Sequence, residues 1–178
     1  IGAVCPSSRF LARRMAGAVG DLGEGDIIAE LGAGTGAVTS ELYPLAASRK
    51  ARLYCVEFEP ALAEILSGRF PGAVVANDSA ENIGKIVGAE NLGRLRAIVS
   101  CLPLVSLPKP LVAEILAAAE SALPPGARFV QFTYNLARPP ESLGFKKMTH
   151  LGVSFVALNL PPARAVSYTH LTLPTTSR

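Results

Sequence analysis

The chain is short of charge. Only 17% of its 178 residues are charged, and the net charge is +3. So mild a basic excess permits contact with phosphate or an anionic membrane, but it does not call for nucleic acid, which needs a concentrated basic surface. Histidine is scarce: His150 and His170 are the two there are, and neither stands in a Ser/His/Asp pattern or a metal-ligating group, so no metal is expected. The three cysteines, Cys5, Cys55 and Cys101, are odd in number, far apart and without metal spacing. They read as reduced thiols of a cytoplasmic protein, two of them inside strands. The apolar stretches fall short of the ~18 residues that cross a bilayer, and no signal peptide is visible. There is no internal repeat, low-complexity tract or interdomain linker, which leaves one domain.

Apolar residues, by contrast, are plentiful. They make up 49% of the chain, and the mean hydropathy is +0.35, which points to a large buried sheet. Ser7 or Ser8 is placed to cap a first helix reaching about Val19, with Phe10, Leu11, Met15, Ala18 and Val19 near helical spacing and Arg9, Arg13 and Arg14 between them. Strands are predicted over 26–31, 52–57, 73–77, 95–101, 128–134 and 153–158, with a seventh from about 163. Helices are predicted over 37–45, over 60–69 with Pro60 in the first turn, after Ser79, and over 110–122, where Pro124-Pro125-Gly126 ends the last. Strand alternating with helix calls for right-handed parallel units, and strands that are near-continuous apolar runs are covered on both faces. The expected fold is α/β and Rossmann-like: a seven-stranded, mostly parallel sheet, helices on both faces, last strand antiparallel.

The two ends differ from the rest. The chain opens at Ile1 inside a patterned segment, and 167–178 changes character abruptly, resembling translated sequencing-adapter read-through. The domain is accordingly expected over 1–166, incomplete at its amino end, with 167–178 a non-native tail. The segment 166–173 is nevertheless β-prone and suited to pair as the last strand.

The chemistry concentrates in Glu30-Leu31-Gly32-Ala33-Gly34-Thr35-Gly36, directly after one predicted strand and before a helix. Glycines there let the backbone turn tightly and meet a ligand without a Cβ in the way, and the helix start offers free N–H groups. Glu57 ends the next strand, where a carboxylate receives ribose hydroxyls. Two cofactor classes fit so far, since Gly32, Gly34 and Ala37 also match the dinucleotide fingerprint. Three details favour S-adenosylmethionine. Glu30 would repel a pyrophosphate but welcome an ammonium, Gly36 adds a third close glycine, and Asp78-Ser79-Ala80 follows the third strand, where a carboxylate can accept from an adenine amino group.

Together these segments resemble the motifs of class I S-adenosylmethionine-dependent methyltransferases. The resemblance implies cofactor contacts from Glu30, Gly32, Ala33, Gly34, Thr35, Gly36, Glu57, Phe58, Asp78, Ser79, Ala80 and Ser100. Gly2-Ala3-Val4-Cys5-Pro6-Ser7-Ser8, Ser100-Cys101-Leu102-Pro103-Leu104, Gln131-Phe132-Thr133-Tyr134 and Asn159-Leu160-Pro161-Pro162-Ala163-Arg164 look like bacterial phospholipid N-methyltransferases of the rhizobial type. That likeness covers about residues 1–166 and implies methylation of the phosphatidylethanolamine amine towards phosphatidylcholine. Ribosomal RNA adenine N6-dimethyltransferases look similar too, but they carry an aromatic residue after strand four that stacks on the flipped base. Here that position is Leu104, and a primary alkylamine needs no stacking platform. A small-molecule amine methyltransferase and a non-catalytic nucleotide-binding module remain as alternatives.

Methyl transfer from a sulfonium needs alignment and dryness more than acid–base help, so no general base is required. Tyr134, at the carboxyl edge of strand five, is the candidate for orienting the headgroup, with the carbonyls of Ser100 and Cys101 as amine acceptors. Arg9, Arg13 and Arg14 with Phe10, Leu11 and Met15 suggest a helix that lies on an anionic surface, and Lys146 and Lys147 are further candidates for lipid phosphate. The expectation is a monomer, cytoplasmic and peripheral at the membrane.

Overall fold

Five apolar runs lie side by side as parallel strands: β1 (Ile27–Leu31), β2 (Arg52–Glu57), β3 (Val74–Asn77), β4 (Leu95–Ser100) and β5 (Arg128–Thr133). β7 (Ala163–His170) runs antiparallel between β5 and β6 (Met148–Val156), giving the order β3-β2-β1-β4-β5-β7-β6. The computed structural model describes residues 9–134, 143–157 and 162–170. Segments 1–8 and 159–161, which carry two of the sequence likenesses, lie outside the described residues, as do residues 171–178.

Side chains alternate across each strand, and both faces are covered. On one face, Ile28, Leu53, Cys55, Val99 and Val130 pack under α1 (Arg9–Gly17), α2 (Thr39–Ser48) and α3 (Pro60–Arg69). On the other, Ile27, Ala29, Ile98 and Phe129 meet α4 (Ile83–Val87) and α5 (Lys109–Ala122). β1, fully buried along its length, is central to both layers. Each buried apolar side chain of this kind contributes ~1.5–3 kcal/mol, and the conformational entropy of folding offsets most of the sum.

α2 and β6 differ most clearly at their starts from the sequence-based bounds, whereas β7 begins at Ala163 as expected. α2 starts two residues after the predicted 37, because the Gly36 N–H donates to Ala33 O (2.9 Å) and prolongs the turn. β6 starts at Met148, not at 153. It is an edge strand whose exposed residues alternate with half-buried ones, so an apolar-run criterion catches only its end. β7 passes through Ser167 to His170, and Tyr168 is buried edge-on against Phe145, ring centroids 5.2 Å apart.

Candidate active site

The connection from β1 to α2 is built by three glycines. Gly32, Gly34 and Gly36 all have positive φ (69°, 57° and 89°), a region costly for other residues. Two of them are also packed: a Cβ on Gly32 would lie 2.5 Å from Leu102 Cδ2, and one on Gly36 would lie 2.6 Å from Phe70 Cε2. Gly34 is different, since its missing Cβ faces open space. The turn is thus wedged at both ends and bare at its tip, as a backbone cradle for a ligand must be. The Gly34 N–H donates to Glu57 Oε2 at 2.7 Å, and Glu57 Oε1 accepts the Glu59 N–H at 2.9 Å. Glu57 thereby joins the end of β2 to the tip of the turn. Ala33 is buried in the α1–α3 core, and Thr35 uses its carbonyl to accept from Arg69.

Glu30 is placed deeper than the sequence suggests. Its side chain is completely buried behind the turn, not at the turn's surface. Oε2 accepts the Thr39 hydroxyl at 2.7 Å, and the thiols of Cys55 and Cys101 lie at 3.9 and 3.5 Å from the carboxylate oxygens. Burial raises the Glu30 pKa from 4.5 to about 7, partly opposed by these hydrogen bonds. Burial and the neighbouring carboxylate push both thiols up, so they stay protonated. Thr39 and Cys55 were not legible as site residues; the only signal was a polar group one strand or one turn away.

Beside β3, Asp78 is exposed, and its Oδ1 accepts the Ser79 N–H (2.7 Å) and the Asn82 amide (2.9 Å). Those bonds lower its pKa, the Asn82 contact most. These bonds tie Asp78 to the turn that follows without capping a helix, since Ser79 ahead of the 3-10 turn at 80–82 makes no side-chain cap bond, and they leave the carboxylate at the surface beside Phe58, which is 75% exposed. Ser79 Oγ donates to Glu81, and Ala80 is buried under α5.

The acceptor-side residues gather at the carboxyl ends of β4 and β5. Ser100 is fully buried, and its Oγ has no partner among the described residues. Cys101 turns its thiol to Glu30 on the opposite face. Leu104 is buried against α5. Tyr134 sits one residue beyond β5, ring edge-on to Phe132 at 5.2 Å, with its hydroxyl buried and without a partner among the described residues. Gln131, which the sequence offers only as part of the 131–134 likeness and with no role of its own, stands in register with Ser100. His150 is elsewhere. It lines a cavity with Phe145, Met148 and Tyr168 at the opposite, amino-terminal edge of the strands, and it has no place in this site.

On α1, Leu11 and Met15 belong to the core, whereas Arg9, Phe10, Arg13 and Arg14 face outward. Of the three apolar residues expected on an interfacial face, Phe10, Leu11 and Met15, only Phe10 is therefore at the surface. Arg9 and Arg13 reach Glu41 in the first turn of α2, at 3.6 and 3.5 Å, while Arg14 makes no ion pair among the described residues. No described helix is long and apolar enough to cross a membrane.

The sheet order, five parallel strands followed by a reversed β7, is the Rossmann-like fold that this chain shares with solved S-adenosylmethionine-dependent methyltransferases, among them a TehB-like enzyme of Corynebacterium glutamicum (TM-score 0.62, 16% identity, 90% of this chain and 87% of that one). The chain is 28% identical over 174 residues to an ornithine lipid N-methyltransferase of Singulisphaera acidiphila, spanning 93% of this chain and 86% of that one. No family model matches. It also shares its fold with geranyl diphosphate C-methyltransferase of Streptomyces coelicolor, solved with S-adenosyl-L-homocysteine (TM-score 0.66, 10% identity, 90% of this chain and 78% of that one). An rRNA methylase of Streptococcus thermophilus is similar as well (TM-score 0.63, 18% identity, 97% and 100%). Fold alone therefore does not select the acceptor.

Proposed function

We propose that the chain is an S-adenosylmethionine-dependent N-methyltransferase acting on the primary amine of a membrane lipid, phosphatidylethanolamine first among the candidates. The observation that carries the cofactor assignment is the bare tip of the turn at Gly34 beside the Glu57 carboxylate. Glu57 suits a ribose diol, Asp78 and Phe58 suit the adenine amino group and ring, and Ser79, Ala80 and Ser100 complete the surroundings. Glu30 places a buried carboxyl directly behind the turn, which favours an ammonium over a pyrophosphate there. When bound, the cofactor supplies an electrophilic methyl group on a sulfonium.

The acceptor assignment rests on a different observation. Leu104 fills the position where a base-modifying enzyme needs an aromatic ring, and it is buried. An alkylamine needs only acceptors and a dry surface. The main-chain carbonyls after β4 and the Tyr134 hydroxyl provide the first. The apolar surroundings lower an ammonium pKa and so supply the neutral amine without a dedicated base. Tyr134 and the carbonyls after β4 would hold the neutral amine towards the methyl group, and the proton that the methylated nitrogen must lose would pass to water. The relative's substrate, an ornithine lipid, is also an aminolipid. Arg14 and Phe10 on the outer side of α1 would meet the bilayer surface peripherally, at a cytoplasmic membrane. The test is transfer of labelled methyl to vesicles containing phosphatidylethanolamine, to vesicles containing an ornithine lipid, and to RNA. Label in either lipid and none in RNA supports the reading; label in RNA alone refutes it.

A further inference from the structure

Gln131 is nearly completely buried on β5, and its amide is aimed by two acceptors. Nε2 donates to Phe132 O at 2.8 Å and to Leu102 O at 2.9 Å. Two carbonyls can be met only by the NH₂ end, so the orientation of the amide is dictated. Oε1 is then left without a partner among the described residues, and so is the Oγ of Ser100, the register partner of Gln131 on the adjacent strand. A buried amide satisfied at one end only is costly, and an apolar residue of the same size would serve the core better. Its presence points to a task other than packing.

The bond to Leu102 shows the task. Leu102 heads the turn after β4, which is closed by Leu104 N–H to Leu102 O (2.9 Å) and Ser106 N–H to Pro103 O (2.8 Å). The Leu102 side chain lies against Gly32, where it leaves no room for a Cβ. One contact chain therefore runs from β5, through the acceptor-side turn, to the start of the cofactor cradle. We propose that Gln131 is a positioning residue for methyl transfer: by holding Leu102 it fixes the carbonyls of the 101–104 turn relative to the glycine turn, and so sets the approach of the amine to the methyl group. The inference rests on the functional reading above. It adds a residue that acts through Leu102 and touches neither ligand.

Two substitutions test it. Gln131→Leu keeps the volume and loses the donor. Gln131→Glu regains a donor only while its carboxyl is protonated. For Gln131→Leu, S-adenosylhomocysteine binding measured by calorimetry stays within about three-fold, while kcat on phosphatidylethanolamine vesicles falls about a hundred-fold, the scale of a small misplacement of reacting groups. For Gln131→Glu, kcat relative to the unsubstituted chain rises as the pH is lowered from about 8 to about 6, as the protonated carboxyl resumes donation to Leu102 O. Independently of turnover, the Leu104 and Ser106 amides exchange about ten-fold faster in Gln131→Leu, the loss of one hydrogen bond's worth of restraint. Unchanged kcat, a flat relative pH profile, or a parallel fall of kcat, cofactor affinity and melting temperature overturns the proposal, the last by showing a merely structural role. If Gln131→Leu does not fold, the pH profile of Gln131→Glu decides. If the unsubstituted chain methylates no aminolipid, the functional reading has failed, and exchange decides alone: unchanged protection of Leu104 and Ser106 then overturns the positioning role, and faster exchange upholds it.

Discussion

Glu57, the last residue of β2, accepts the Gly34 N–H at 2.7 Å. One carboxylate oxygen thus steadies the bare tip of the turn, and the other accepts from Glu59. Removing this side chain takes away both the steadying bond and the group placed for the ribose. Glu57→Ala is expected to weaken S-adenosylhomocysteine binding about 100-fold, the sum of two bonds to a charged acceptor, while costing ~1–2 kcal/mol of stability. Calorimetry and chemical denaturation read the two effects separately.

The glycines of the turn should fail in different ways. Gly36→Ala drives a Cβ into Phe70 and Leu66, and Gly32→Ala drives one into Leu102. Each combines overpacking with a left-handed backbone and should cost ~2–4 kcal/mol. Gly34→Ala meets nothing, so it should cost only ~1–2 kcal/mol for its φ. Yet it puts a methyl group where the ligand belongs, and cofactor binding should be lost. Denaturation midpoints beside binding isotherms for the three variants check the contrast.

Glu30 makes stability depend on pH. Its carboxyl holds a proton more tightly when folded (about 7) than its ordinary 4.5. The folded state therefore binds more protons between those values, and its stability is fully present below about pH 4.5 and declines as pH rises through about 7. The shift corresponds to a loss of about 3 kcal/mol at most. Glu30→Gln should flatten the melting temperature between about pH 5 and pH 8, leaving the variant the more stable at the upper end. A bound cofactor, with its ammonium near the turn, should also reduce the slope.

Much of this was legible in the sequence because the determinants are local. The apolar runs of β1, β2 and β4 are buried on both faces, so their hydropathy alone locates them, and Pro60 marks the start of α3 as it stands. The turn was legible because positive φ and close packing leave glycine as the residue that fits at Gly32 and Gly36. What escaped depends on partners distant in sequence. Glu30 reads as a surface anion until Thr39, Cys55 and Cys101 close around it, and nothing in Gln131 itself announces the carbonyl of Leu102, 29 residues away. β6 escaped for another reason: an edge strand is only half apolar, and Thr149 and His150 dilute its signal.

The outer side of α1 gives a test of membrane contact. Arg9 and Arg13 are engaged with Glu41, at distances and exposures where an ion pair is worth little, while Arg14 makes no ion pair among the described residues and Phe10 is half exposed. Arg14→Glu together with Phe10→Ser should lower co-sedimentation with vesicles containing anionic lipid by about ten-fold or more, at roughly 1 kcal/mol for each basic side chain at the surface. Folding should be unaffected, since neither side chain is in the core. Unchanged sedimentation would remove α1 from the membrane-facing surface.

The most direct measurement is calorimetric titration of the chain with S-adenosylmethionine, S-adenosylhomocysteine and a nicotinamide dinucleotide, repeated with Glu57→Ala. One-site binding of both sulfur compounds, sharply weakened in the variant, and no heat with the dinucleotide are the expected results. Tight uptake of the dinucleotide with none of either sulfur compound would contradict it.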